Sequence, residues 1–240
     1  MLELLLPFFL LVFFLLSLTI IWRIKARKYI SSGTVASAYD AWTQDKLLER
    51  LWGEHIHLGF YPSGQKNIDF RNAKVHFVHE LVKWSGLDKL PKGSRILDVG
   101  CGIGGSSRIL AKYYGFNVTG ITISPAQVKR ARELTPIGLN CNFQVMDALN
   151  LKFEDGSFDA VWSVEAGAHM NDKSKFADEM LRTLRPGGYL ALADWNSRDL
   201  RSYPPSIFER LVIKQLLEQW VHPNFISINE FADILKTNKN

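Results

Sequence analysis

Cysteine is nearly absent from this 240-residue chain, which has only Cys101 and Cys141. Neither belongs to a CxxC pair or a Cys/His cluster, so the sequence offers no disulfide framework and no metal-ligand signature. Acidic residues are also in short supply: 24 against 29 basic ones, for a formal charge of +5. The basic residues lack the interleaving with aromatics that marks a nucleic-acid surface, so no nucleic-acid partner is expected. An anionic membrane surface suits the balance at least as well. General disorder is excluded, because 47% of residues are hydrophobic and only 22% charged. No internal repeat is evident, and the length admits one domain with appendages.

Charge is missing altogether from Leu4 to Trp22. At 1.5 Å per residue these residues make a helix of about 28 Å, close to the hydrocarbon thickness of a bilayer. Pro7 falls where a lost backbone donor matters least. Arg23, Lys25, Arg27 and Lys28 follow at once. A cleaved leader would carry its positive charge before the apolar run, whereas here Glu3 precedes it. The expectation is a single N-terminal transmembrane helix, with residues 1–28 as anchor and basic flank and the remainder on the cytoplasmic or equivalent side.

Residues 29–92 read as a helical cap and linker. Thr34 is expected to cap a helix running to about Trp52, and a second helix to cover Phe70 to Trp84. Between them, GEHIHLGFYPSG reads as a loop. From residue 93 to 240 short apolar runs alternate with helical stretches: SRILDV, FNVTGI, NCNFQV, FDAVWS and Gly188 to Asp194 as strands, with helices between. This rhythm predicts an α/β fold with a parallel sheet ordered 3-2-1-4-5. Ligands then bind beyond the carboxyl ends of the strands. Two further helices, Pro204 to Trp220 and Ile228 to Lys236, end the pattern.

The most informative motif is DVGCGIGG, from Asp98 to Gly105. Gly100, Gly102 and Gly104 let the chain turn tightly and approach a ligand without a Cβ in the way. Gly100, Gly102 and Gly105 also satisfy the dinucleotide pattern GxGxxG, which alone is weak. A dinucleotide site wants a carboxylate at the end of the second strand, and Thr122 stands there instead.

DVGCGIGG resembles the first motif of Rossmann-like class I methyltransferases. The resemblance implies S-adenosyl-L-methionine as cofactor, the glycine loop (Gly100, Cys101, Gly102, Gly104) lying against its methionine part and Asp98 orienting it. Thr122 and Gln127 match relatives that act on lipids, and would contact the ribose or nearby groups; Ile123 beside them is a further candidate for cofactor binding. Asp147 and Ala148 match the family's acidic-alanine pair, which faces the adenine. Asp147 equally suits a cap of the turn before Leu149. YDAWT, LWGEHIHLGFY, GFNVTGITISPAQVKRA and WSVEAGAHMNDK extend the resemblance to the tocopherol and plastoquinone branch, over about residues 2 to 236.

That branch implies C-methylation of the aromatic ring of a prenylated benzoquinol of the 2-methyl-6-phytyl-1,4-benzoquinol type. It also implies a lipid bilayer as partner, and a location in the plasma or thylakoid membrane of a photosynthetic bacterium, or in the plastid envelope. Other readings are methylation of γ-tocopherol or another lipid or small molecule, and a membrane-bound methyltransferase-like protein without catalysis. The family's closing strands 6 and 7 are expected to be absent. A ring carbon ortho to a phenol becomes nucleophilic as the phenol loses its proton, so a base is needed. Candidates are His169 and Glu165 after the fourth strand, and His55 and His57 in the cap loop, which share one face if extended. Tyr39 is a further catalytic candidate and, with Trp52 and Tyr61, a candidate lid residue. No metal is expected.

Overall fold

The computed structural model describes residues 7, 9–18, 28–63 and 67–237. Residues 9–18 are helical and expose Phe9, Leu10, Leu11, Phe13 and Phe14. No helix among the described residues is long and apolar enough to cross a membrane. Apart from Pro7, the rest of the 4–22 stretch lies outside the described residues.

The cap opens with α1 (Ser32–Gln44) and α2 (Leu47–Trp52), followed by α3 (Phe70–Ser85). The expected single helix from Thr34 to Trp52 is thus two. It breaks at Lys46, whose left-handed backbone (φ 55°) cannot continue a right-handed helix. The N-cap is Ser31, not Thr34, whose hydroxyl instead donates to the Ser31 carbonyl at 2.7 Å. Asp69 caps α3 through Arg71 N and Asn72 N.

Five strands follow: β1 (Arg95–Val99), β2 (Asn117–Thr122), β3 (Cys141–Val145), β4 (Phe158–Val164) and β5 (Leu184–Ala193). They pair in parallel in the order β3-β2-β1-β4-β5, as the βαβ rhythm requires. Helices α4 (Gly105–Tyr114), α5 (Pro125–Leu134) and α6 (Lys173–Thr183) connect them, and α7 (Ile207–Trp220) and α8 (Ile228–Thr237) come last. β5 begins four residues earlier than expected. Leu184 pairs with Phe158 and Tyr189 with Ala160, so Pro186, Gly187 and Gly188 form an irregularity inside the strand rather than a turn before it.

Alternation along the strands divides the core in two. Ile96 and Trp162 pack with Val78, Val82 and Leu110 on the α3/α4 face. Leu97, Val99 and Val161 pack with Phe176, Met180 and Phe231 on the α6/α8 face. Because both faces are covered, β1 and β4 are apolar through most of their length; Arg95 and Asp159 are polar at the amino ends, and Asp98 and Ser163 toward the carboxyl ends.

Candidate active site

The carboxyl ends of β1, β2 and β4, with α1 and the loop after α2, enclose a cavity of about 340 Å³. Its floor is the turn after β1. Gly100 has φ +81°, and a Cβ there would overlap the Ala166 methyl, so the turn and the segment after β4 touch only because residue 100 is glycine. Gly105 opens α4 against the cap, where a Cβ would overlap the Glu54 carbonyl.

Asp98 ends β1 fully buried, its carboxylate accepting from the Ser107 hydroxyl at 2.5 Å. Burial pushes its pKa up to about 7. Thr122 donates to Gln127 Oε1 at 2.6 Å, so the Gln127 amide nitrogen keeps its donors for another partner. Asp147 Oδ1 accepts from Leu149 N at 2.9 Å, the turn-capping bond, and Asp147 also lines the cavity beside Ala148. Asp98, Gly100, Cys101, Gly102, Thr122, Ile123, Gln127, Asp147 and Ala148 all line it. Gly104 does not: it faces Phe143 and Arg108, and its φ of +82° serves the entry into α4.

The opposite wall comes from the cap, held to the core by polar struts. Asp40 accepts from the Ser124 hydroxyl (2.5 Å) and Ala126 N (3.1 Å), at the N-terminus of α5 where a negative charge is favoured. Glu49 takes a two-point grip on Arg130, at 2.6 and 2.8 Å. Glu54 pairs with the buried Arg108 at 2.7 Å. Lys74 donates to the carbonyls of Trp52 and His55, both at 2.9 Å.

These struts set Tyr39 against His169, with Tyr39 Oη 2.8 Å from His169 Nε2. His169 Nδ1 lies 3.4 Å from the Val221 carbonyl, which assigns the Nδ1 proton and leaves Nε2 to accept from the tyrosine. Burial, and His222 stacked on it at 4.2 Å, lower the His169 pKa to about 3, so the ring is neutral. Burial, then Glu165, raises the Tyr39 pKa.

His55 and His57 do come together, Nδ1 to Nε2 at 3.1 Å, and His57 Nδ1 donates to the Leu58 carbonyl at 2.7 Å. That fixes His57 Nε2 as acceptor and His55 Nδ1 as donor, leaving His55 Nε2 a lone pair. Burial lowers their pKa values to about 3 and 4.

Glu165 stands just after β4 in the left-handed region (φ 53°). Oε1 accepts from Leu58 N at 2.9 Å, and the Trp195 side chain also donates to the carboxylate. Burial raises its pKa. Glu165 therefore ties the sheet to the cap loop. Trp52 lines the cavity, whereas Tyr61 does not and is exposed. Sequence reasoning missed Tyr29, Asn171, Trp195, Trp220 and His222, which also line it. Among the described residues no group of three His, Cys, Asp or Glu side chains could hold a metal.

An open parallel sheet with a glycine turn at the end of β1, and polar groups at the ends of β2 and β3, defines a Rossmann-like site for an adenosine-containing cofactor. The methyltransferase domain family matches residues 97–192. The 2-methyl-6-phytyl-1,4-hydroquinone methyltransferase of Synechocystis is 59% identical over 90% of this chain and 68% of its own length. The tocopherol O-methyltransferase of Arabidopsis thaliana is 36% identical over 80% of this chain and 58% of its own length. In structure, the geranyl diphosphate C-methyltransferase of Streptomyces coelicolor shares the fold, with a TM-score of 0.67 at 22% identity, over 86% of this chain and 78% of that one. The chain belongs to the class I methyltransferase family that includes the Synechocystis enzyme. Its methyl donor is S-adenosylmethionine, and the residues around the cavity fit that group. The turn after β1 admits close approach, Gln127 offers donors, and Asp147 offers an acceptor beside the buried Ala148.

Proposed function

We propose that this chain methylates a ring carbon of a prenylated benzoquinol, of the 2-methyl-6-phytyl-1,4-benzoquinol type, beside a membrane. One observation carries the chemistry: the Tyr39–His169 pair lines the same cavity as the glycine turn. The identity of 59% to the Synechocystis enzyme, against 36% to the tocopherol enzyme, supports the benzoquinol over γ-tocopherol.

Bound S-adenosylmethionine supplies an electrophilic methyl group on a positively charged sulfur. Gly100, Gly102 and Asp98 seat its methionine end, Thr122 and Gln127 its ribose, and Asp147 and Ala148 its adenine. A phenol with a pKa near 10 must give up its proton for the ortho carbon to attack. Tyr39 Oη accepts that proton while passing its own to His169 Nε2, and the Val221 carbonyl holds the Nδ1 proton on the ring. His169 is neutral at rest, so its Nε2 lone pair is available for that proton. Glu165 holds the cap loop over the reacting ring through Leu58, and Trp52 helps exclude water. After transfer, the ring carbon loses its proton to solvent, aromaticity returns, and His169 gives its proton back through Tyr39 to the phenolate oxygen.

The uncharged stretch from Leu4 to Trp22 and the basic flank after it support an N-terminal membrane anchor with the catalytic domain on the cytoplasmic or equivalent side. A photosynthetic membrane fits a lipid quinol substrate. The chain, purified in mild detergent, is incubated with methyl-labelled S-adenosylmethionine and, separately, reduced 2-methyl-6-phytyl-1,4-benzoquinol and γ-tocopherol. A labelled ring-methyl product from the benzoquinol is expected. Label on γ-tocopherol alone refutes the substrate, and no product at all refutes the activity.

A further inference from the structure

We propose that a second cavity, of about 620 Å³ beside α7, seats the isoprenoid tail of the quinol as it leaves the catalytic cleft. The inference rests on the prenylquinol reading. Two residues, Tyr29 and His222, line both this cavity and the active-site cavity. His222 is buried and stacks on His169 at 4.2 Å, so the second cavity begins one ring's thickness from the proton acceptor. A tail attached to a ring poised at Tyr39 and His169 meets this passage.

The chemistry of the walls suits a chain with no hydrogen-bonding groups. Ile213 and Leu217, four residues apart on α7, present one helical stripe to the cavity, and Leu200 and Pro205 add to it. Along its length α7 has no fully buried residue, which is odd for a helix so rich in Ile, Leu and Val. An alkyl occupant would complete the burial of that stripe. Lys28, Arg210 and Lys214 also line the cavity, their stems available to apolar contact and their heads to water or to lipid phosphate. The cavity thus joins an aromatic junction at Tyr29 and His222 to walls with three basic residues against one acidic, Glu218, with Asn224 beside them, a net positive setting that suits a tail leading from a catalytic site toward an anionic bilayer.

The test uses the full chain in detergent with its cofactor, and a series of 2-methyl-1,4-benzoquinols whose 6-substituent grows from methyl through one, two and four isoprene units. One buried CH₂ is worth about fourfold in affinity, so kcat/KM should climb steeply with tail length, mainly through KM, until the cavity is filled. Leu217→Trp and Ile213→Trp narrow the passage. Each is expected to cut the preference for the phytyl over the methyl substituent by about tenfold or more, with S-adenosylmethionine binding retained as the check on folding. Should a variant not fold, the wild-type series still decides. A flat dependence on tail length, or a preference unmoved in folded variants, overturns the tail site while leaving the methyltransferase reading intact. Methylation of none of the quinols overturns both.

Discussion

Replacing Tyr39 with Phe removes one oxygen atom and separates chemistry from scaffolding. The ring stays, with its edge contacts to Trp42 and His169. What goes is the hydroxyl 2.8 Å from His169 Nε2. If the pair relays the phenolic proton, kcat should fall by about 100-fold or more, the usual scale of general-base catalysis. The loss should appear in kcat rather than in cofactor affinity, because Tyr39 belongs to the cap wall and not to the turn after β1. A buried imidazole nitrogen also loses its partner, which costs about 1–3 kcal/mol of stability. In a domain of this size each kcal/mol lowers Tm by about 2–4 °C, so the protein should remain folded at assay temperature. The measurements are single-turnover methyl transfer at saturating substrate, the Kd for S-adenosylmethionine by calorimetry, and Tm by scanning calorimetry. A Phe variant that turns over within about threefold of wild type while its Tm falls as stated would refute the relay and leave Tyr39 a packing residue.

Two more outcomes follow from the geometry. Asp40→Ala removes the acceptor for Ser124 Oγ and Ala126 N at the head of the helix carrying Gln127, at a cost of about 1.5–3 kcal/mol. Calorimetry should show cofactor affinity reduced about tenfold together with a lower Tm, and neither changing would sink the strut. Acid titration followed by circular dichroism should reveal net proton uptake on unfolding near pH 5. His55 and His169 (pKa about 3) and His57 and His222 (about 4) stay neutral when folded but protonate near 6.5 when released, so their contribution is present above pH 6.5 and lost as pH falls toward 4. Asp98 (about 7) and Asp194 (about 6) work the other way, holding protons in the folded state that an unfolded carboxyl would release. Four histidines against two carboxyls leave roughly two protons, a slope of about 2.7 kcal/mol per pH unit, and a flat profile between pH 6 and 4 would contradict the burial of these rings.

The parallel sheet was legible because β1 to β4 are short apolar runs separated by helical stretches, and that pattern is local. The glycine turn was legible for the same reason: Asp98 through Gly105 spells out a backbone shape. Gly104 sits against Phe143 and outside the cavity lining, and spacing alone does not separate a glycine that faces a ligand from one that faces a ring. The break at Lys46 was hidden because nothing about a lysine announces a positive φ. Asp40 and His222 escaped notice for a different reason. Their partners lie 84 and 53 residues away, at Ser124 and His169, and only the closed fold brings them within reach. Glu165 was found by its place after a strand, but its bond to Leu58, across 107 residues, makes it a tie between sheet and cap.

Asp40, Glu49 and Glu54 all land on the two helices, α4 and α5, that begin where the cofactor is held. Cap and cofactor seat are therefore braced against each other as one assembly. Of the three grips, the Glu54–Arg108 pair has its acid half in solvent, at 51% exposure, so dissolved ions screen it first. Rising ionic strength is expected to weaken that grip first, leaving the Asp40 and Glu49 contacts to hold the cap.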